Sequence, residues 1–303
     1  MTVTRVCERL SAQMRGPVRM YEPLGRHTTY RIGGPASIFA VCESVGDISR
    51  CLETLADAGM AWTVLGKGSN VLVSDDGYDG AVIVLGKEFK RHRTEDARVH
   101  SGAGVTLAAV VQDAYSRGLS GLEFAVGIPG TVGGCLGMNA GSRDEWISSR
   151  VETVTLYEPG RGLTVLRGPE VMWGYRTSGL PEHGVIIECS LALAQGERDR
   201  IRRTMEARFR VRKSSQPVGM PSAGSVFVNP ADDSAGRLIE ACGLKGMRHG
   251  GAQVSEVHAN FIVNAGGATA RDVIALIRAV REEVRERHGI WLETELRFLG
   301  TTP

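Results

Sequence analysis

The chain has 303 residues, 36 Lys and Arg against 34 Asp and Glu, and a formal net charge of +2. At ~100–200 residues per domain this length allows two domains or two and a half, and 42% hydrophobic with 23% charged residues is enough to bury a real core. The balanced charge argues against a dedicated nucleic-acid binder, and an aromatic content of 6% against a base-stacking surface.

In chain order, the first block runs from about Tyr21 to Asp76. It holds a turn at Gly34-Pro35, a strand at Ser37–Val41, an amphipathic helix from Ile48 to Ala58 ending at Gly59, and strands at Trp62–Leu65 and Val71–Ser74. The second block, about Gly80 to Gln195, reads as strands at Ala81–Leu85, Val151–Tyr157, Leu163–Leu166 and Val185–Leu193, with a helix at Thr106–Arg117 closed by Gly118. The third opens with a charged helix, Glu197–Lys213, and continues with Ala235–Cys242, a strand at Asn260–Val263, a long helix Arg271–His288 and a last strand Trp291–Leu299. Strands and helices alternate in small groups, which favours an α+β fold over a doubly wound sheet. The basic run Lys87–Arg93 reads as a solvated loop, and the arginines of 198–213 as the outer face of a helix whose inner stripe is Ile201, Met205 and Phe209.

The six cysteines (Cys7, Cys42, Cys51, Cys135, Cys189, Cys242) form no Cys-x-x-Cys pair, so buried thiols are expected rather than a disulfide framework. The first residues carry no apolar signal segment, and no apolar run approaches the ~20 residues that cross a bilayer. A soluble cytoplasmic protein is the expectation. No His cluster has metal-ligand spacing, so no metal is expected.

Two segments are dense in glycine, in a chain with 39 glycines overall. Gly66-Lys67-Gly68-Ser69-Asn70 lies between two short strands, where converging backbone N–H groups and the Ser69 and Asn70 side chains suit an anion. A tight strand-to-strand turn is the alternative, and the residues alone do not choose between them. Neither a dinucleotide fingerprint nor a Gly-x-x-x-x-Gly-Lys-Ser/Thr loop is present. The second segment, Gly127 to Gly141, is expected to form neither a helix nor an ordinary strand, since each interior glycine costs ~0.5–1 kcal/mol. Its expected use is to bring bare backbone against a flat or highly charged ligand; a connection between domains is the other reading. Arg176, Ser225 and Glu295 lie in separate segments, and spacing alone makes them a surface arginine, a turn serine and an exposed carboxylate.

These stretches together resemble the MurB family of UDP-N-acetylenolpyruvoylglucosamine reductases over nearly the whole chain. The matching blocks are Thr-Thr-Tyr-Arg-Ile-Gly-Gly-Pro-Ala (28–36), Gly-Lys-Gly-Ser-Asn-Val-Leu (66–72), Gly-Leu-Glu-Phe-Ala-Val-Gly-Ile-Pro-Gly-Thr-Val-Gly-Gly (121–134), Gly-Tyr-Arg-Thr-Ser (174–178), Pro-Ser-Ala-Gly-Ser-Val-Phe (221–227), Gly-Gly-Ala-Gln-Val-Ser-Glu (250–256) and His-Ala-Asn-Phe-Ile-Val-Asn (258–264). The short stretch between Tyr175 and Val185 is similar to the compact class of the family, which lacks an extra tyrosine loop. The resemblance implies an α+β chain with a two-part FAD-binding module of the vanillyl-alcohol-oxidase type, residues 20–76 and 77–196, followed by a substrate-binding domain at 197–303.

It further implies that Arg31, Gly66, Lys67, Gly68, Ser69, Asn70, Gly127, Ile128, Pro129, Gly130, Thr131, Gly133 and Gly134 hold FAD, without a covalent bond despite the nearby His27. The family reaction carries hydride from NADPH through flavin N5 to the vinyl carbon of an enolpyruvyl ether. On that pattern Arg176 and Glu295 polarise the substrate carboxylate, Ser225 donates the proton, and Tyr175, Asn229 and Gln253 bind substrate. A small-molecule substrate is implied, with no nucleic-acid or membrane partner, and a monomer is expected.

Three family lysines are absent: their places hold Ser215, Val228 and Val257. Each charge-assisted contact to a diphosphate is worth ~1.5–3 kcal/mol. Their loss leaves two readings. Either Arg202, Arg203, Arg212 or Lys213 compensates in a UDP-sugar reductase, or the same machinery acts on a smaller, non-UDP unsaturated acid in a specialised pathway.

Overall fold

Short strands and capped helices build two packing units that interleave along the chain; a computed structural model describes residues 1–142, 145–181 and 183–303. One unit comprises residues 1–20, 38–67 and 80–210, the other 21–37, 68–79 and 211–303.

The first unit holds the greater part of a four-stranded sheet whose strands run in the order Val18–Pro23, Pro35–Cys42, Tyr78–Leu85, Trp62–Val64. Helices α1 (Val3–Gln13) and α2 (Val45–Asp57) share one apolar core with it. In α2 the inward stripe is Ile48, Cys51, Leu52 and Leu55, the i, i+3, i+4, i+7 spacing of a half-buried helix, and the Ser44 hydroxyl accepts from Asp47 N at 3.1 Å to cap it. A five-stranded antiparallel sheet runs Gly162–Arg167, Val151–Glu158, Val185–Ala192, Arg98–Gly102, His92–Glu95. Its core takes in α3 (Leu107–Ser116) and α4 (Val132–Gly137), with Met205 of α5 (Arg198–Ser215) packed at its margin.

The second unit is organised around α7 (Ala270–His288), which buries Val273, Ile274, Leu276, Ile277, Val280 and Val284. Thr269 and Asp272 form a reciprocal capping box, and Gly289 closes the helix in the left-handed conformation at φ 68°. The backbone N–H of Thr269 bonded to Asp272 holds that carboxyl below the usual carboxylate range. Beside α7 lie the shorter α6 (Ala235–Ala241), a three-stranded antiparallel sheet (Arg248–His249, Ala252–Val254, Ile262–Asn264) and a parallel pair, Val71–Val73 with Arg297–Leu299. Tyr30, Ile32 and Leu72 belong to this core although they precede most of it by nearly two hundred residues. The Tyr30 hydroxyl is fully buried, is pushed above its ordinary range by burial, and donates to Ile262 O at 2.7 Å.

The α+β reading holds, and the expected helices appear within a few residues of their forecast ends. Four expectations need correction. Glycine 127–141 does form a helix in part, α4, because Thr131 caps it and its backbone is anchored on a neighbouring segment: Val132 N donates to Val105 O at 2.8 Å and Gly133 N to Ala103 O at 2.9 Å. Those tertiary bonds offset the low propensity. Lys87–Arg93 is not an open loop, since Lys87–Lys90 is a short 3-10 turn around buried Phe89 and His92–Glu95 is an edge strand. The last strand is only Arg297–Leu299, because residues 292–295 use their backbone elsewhere. Leu292 O accepts from the buried Arg281 side chain at 2.9 Å, and Glu293 O from Val228 N at 2.9 Å. Phe209, forecast on the inner stripe of α5, is 47% exposed, while Ile201 is buried. All six cysteines are free thiols, and five are buried.

Candidate functional site

The first glycine segment turns between strands Trp62–Val64 and Val71–Val73, with Gly66 and Lys67 exposed. Gly68 sits at φ +59°, and a Cβ there would lie 2.4 Å from His27 O, so no other residue fits. Gly68 O accepts from Thr29 N at 3.2 Å. Because a trans peptide points its C=O and N–H oppositely, the Ser69 N–H is turned to the side away from Thr29. A Cβ on Gly66 would lie 2.5 Å from Thr131 Oγ1, so the bare backbone of the first glycine segment abuts the Thr131 side chain of the second.

In the second segment Thr131 Oγ1 accepts from Gly134 N at 3.3 Å and caps α4. A Cβ on Gly133 would lie 2.9 Å from the Ala103 Cβ, while one on Gly137 would meet nothing within 4 Å. One face of α4 therefore packs flush and part of it stays bare. Leu107 N donates to Gly130 O at 3.1 Å, and Ile128 N to Ala125 O at 3.0 Å, fixing the approach of this loop. The Cys135 thiol is pushed up to about 12 by burial, which makes it packing and not a nucleophile. A turn with an exposed lysine against a bare, fixed backbone fits a flat dinucleotide bearing a pyrophosphate, and the residues present suit FAD.

Arg176 is held next to this segment. Trp173↔Ser178 and Gly174↔Thr177 pair antiparallel, so Tyr175 and Arg176 form a two-residue hairpin tip. Arg176 adopts φ +57°, a left-handed conformation that costs a non-glycine residue ~1–3 kcal/mol. The hairpin is stapled to the end of α4: Ser178 Oγ donates to Gly137 O at 3.0 Å, and Asn139 Nδ2 to Gly174 O at 2.9 Å. Arg176 Nη1 donates to Gly141 O at 3.2 Å, and the guanidinium lies 5.7 Å from the Trp146 ring centroid and 5.6 Å from that of Tyr175.

Ser225 and Glu295 belong to the second unit. Glu295 N donates to Val226 O at 2.8 Å, and Phe227 bridges Thr294 antiparallel, so the two segments run side by side. Buried Asn260 locks the Ser225 side. Its carbonyl accepts from Val226 N at 2.8 Å, and its amide brackets Phe227 with contacts of 2.9 Å to N and 2.8 Å to O. Asn70 Nδ2 donates to Glu295 O at 3.1 Å, and Asn70 O accepts from Arg297 N at 3.1 Å.

The structure thus brings Gly66 together with the 127–134 segment, and Arg176 with α4, in the first unit; Ser225, Glu295 and Asn70 come together in the second. Arg31 is exposed at φ +57°. Asn229 Oδ1 accepts from Ala235 N at 3.1 Å at the start of α6. Gln253 is buried, and its amide reaches Gly246 O at 3.4 Å and Glu256 Oε1 at 3.3 Å.

Three neighbours were not singled out in the sequence: Trp146, Arg248 and Thr29. Arg248 had a usable signal. The Gly250-Gly251 pair is a two-residue hairpin turn, which sets Arg248 opposite Gln253, and its Nη2 donates to Gln253 Oε1 at 3.1 Å. Trp146 and Thr29 had none, since their contacts come from distant segments. Among the described residues no group of His, Cys, Asp and Glu has metal-binding geometry, and no helix is long and apolar enough to cross a membrane.

Comparison with known proteins matches residues 36–162 to an FAD-binding domain and residues 216–299 to the C-terminal domain of UDP-N-acetylenolpyruvoylglucosamine reductase. The chain is 43% identical over 293 residues to the UDP-N-acetylenolpyruvoylglucosamine reductase of Heliobacterium modesticaldum, covering 96% of this chain and 93% of that one. It is 42% identical to the Bacillus licheniformis reductase, covering 98% of each. The crystal structure of MurB from Thermus caldophilus aligns with a TM-score of 0.82 at 39% identity, covering 94% of this chain and 99% of that one. At this identity over nearly its whole length, the chain belongs to the MurB family of FAD-binding UDP-N-acetylenolpyruvoylglucosamine reductases.

Proposed function

We propose that the chain reduces the enolpyruvyl ether of UDP-N-acetylglucosamine to UDP-N-acetylmuramate for peptidoglycan synthesis, with NADPH as hydride source, as a cytoplasmic monomer. Residues 20–76 and 77–196 form the FAD-binding part and 197–303 the substrate-binding part. The observation that carries this reading is the abutment of Gly66 on Thr131 with the Arg176 hairpin stapled to the same helix. A cation is thereby fixed beside the surface on which a flavin would lie.

When bound, FAD supplies two-electron hydride transfer between nicotinamide and the vinyl carbon. Gly66–Asn70 bind its pyrophosphate, with Lys67 as the cation and Arg31 as a second basic contact. Residues 127–134 present backbone to the ring. Once hydride has reached the terminal vinyl carbon, an electron pair is left on the carbon that bears the carboxylate. Arg176 stabilises that enolate, and Glu295 acts with it on the carboxylate. The Ser225 Oγ–H then gives its proton to the carbon, and the alkoxide regains one from solvent. Serine is a weak acid, but the carbanion it protonates is a stronger base than the alkoxide it leaves.

Tyr175, Asn229 and Gln253 contact the rest of the substrate. On α5, Arg202 is paired with Asp199 and Glu206, and Arg203 with Glu197, in exposed ion pairs that leave them, with Arg212 and Lys213, as one source of replacement charge for the absent lysines. Arg248, fixed against Gln253, is a second source of replacement charge for a diphosphate. That placement, with more than 40% identity to reductases named for the UDP-sugar, favours the nucleotide substrate over a smaller unsaturated acid.

The purified protein is expected to be yellow, and acid or heat to release the flavin as FAD. Flavin that stays with the precipitated chain would refute noncovalent binding, and a colourless protein that takes up no added FAD would refute the cofactor assignment.

A further inference from the structure

Within the second unit, residues 68–70 of the cofactor turn and the acid-side segments are joined by two side chains. Thr29 Oγ1 has a single proton and lies 2.7 Å from Ser222 O, three residues before Ser225; Gly68 O is farther, at 3.3 Å, and is already bonded to Thr29 N. The Ser222–Ser225 turn is pinned on its other flank too, since Asn264 N donates to Pro221 O at 2.8 Å and Asn264 Nδ2 to Tyr30 O at 3.1 Å. Asn70, two residues after Gly68, makes the matching connection to Glu295 O. One bond ends at Ser222, in the segment that carries Ser225, and the other at the backbone of Glu295 itself.

We propose that Thr29 and Asn70 are positioning residues, the side chains through which the pyrophosphate-binding turn sets the register of the Ser225 and Glu295 segments. This rests on the reading of Ser225 and Glu295 given above. Its physical content is that ordering of residues 68–70 by a bound diphosphate is passed to the residues that finish the reaction, with no contact between Thr29 and the reacting atoms. Each bond joins neutral groups at ordinary length, so its removal should loosen a segment and not unfold the unit.

The test uses the holoprotein and the variants Thr29→Val, Thr29→Ser and Asn70→Ala, with two readouts. The first is amide hydrogen exchange. Thr29→Val should raise exchange at least tenfold in 222–226 and leave 293–297 unchanged, Thr29→Ser should restore protection, and Asn70→Ala should do the converse of Thr29→Val. The second is rapid mixing of the two half-reactions. Thr29→Val should slow reoxidation of the reduced protein by the enolpyruvyl substrate about tenfold while NADPH-driven reduction and FAD retention stay at the natural level, and Thr29→Ser should recover the rate. Unchanged exchange in both segments, or equal slowing of both half-reactions, would overturn the proposal. Should the natural protein not be reoxidised by this substrate at all, the functional reading fails, and the exchange pattern alone decides whether the two side chains set the register.

Discussion

Ser225→Ala should slow reoxidation of the reduced protein by the enolpyruvyl substrate by ~10²–10⁴-fold, the usual worth of a positioned general acid, while reduction by NADPH stays within about twofold of the natural rate. The difference arises because a proton is needed only after hydride has reached the vinyl carbon. The Ser225 segment is held by Asn260 and by the backbone pairing of Val226 with Glu295, and neither contact uses the serine hydroxyl. Truncation should therefore leave the fold and the register of Glu295 intact. Stopped-flow absorbance of each half-reaction separates the cases, and equal slowing of both would mean that Ser225 positions other groups and donates no proton.

Arg176→Gly should lower the same half-reaction by ~10²–10³-fold, comparable to removing one donor from an oxyanion site. Glycine is the informative replacement, because Arg176 stands at φ +57° at a hairpin tip. The variant removes the cation and at the same time relieves the backbone, so its thermal stability should equal or exceed that of the natural protein. Arg176→Ala would confound loss of charge with strain. A melting curve alongside the kinetics checks this. Lost activity with a clearly lowered melting temperature would assign Arg176 to holding the hairpin against Gly141, Trp146 and Tyr175 rather than to chemistry.

Much of the fold could be read locally. Ser44 and Thr106 cap helices whose apolar stripes lie at helical spacing, and both helices occur where that pattern puts them. What could not be read was decided by partners distant in sequence. The glycine-rich 132–137 stretch is helical because Ala103 and Val105 supply carbonyls to its first turn, information absent from the stretch itself. Tyr30 looked like part of the N-terminal block, yet its side chain is in the core built around α7. The residues of the candidate site could be picked out in the sequence, but their arrangement could not. Gly66 and Thr131 are far apart in sequence and meet only through a missing Cβ, and Ser225 and Glu295 are neighbours only because Phe227 pairs with Thr294. Nothing in the spacing of Arg176, Ser225 and Glu295 assigns them roles; the family resemblance did, and the structure adds the bonds that hold each one. Trp146 and Thr29 stayed invisible for the same reason: each matters through what it touches, and both partners come from elsewhere in the chain.

Flavin-mediated reduction of a UDP-linked enolpyruvyl ether can be followed in a single turnover, by reducing the holoprotein without oxygen, removing excess NADPH, and mixing it rapidly with UDP-N-acetylglucosamine enolpyruvate. The yellow flavin absorbance should return in full, with one equivalent of UDP-N-acetylmuramate formed per flavin. A flavin that stays reduced with this substrate, in a protein that NADPH reduces normally, would rule out the UDP-linked enolpyruvyl ether as the hydride acceptor.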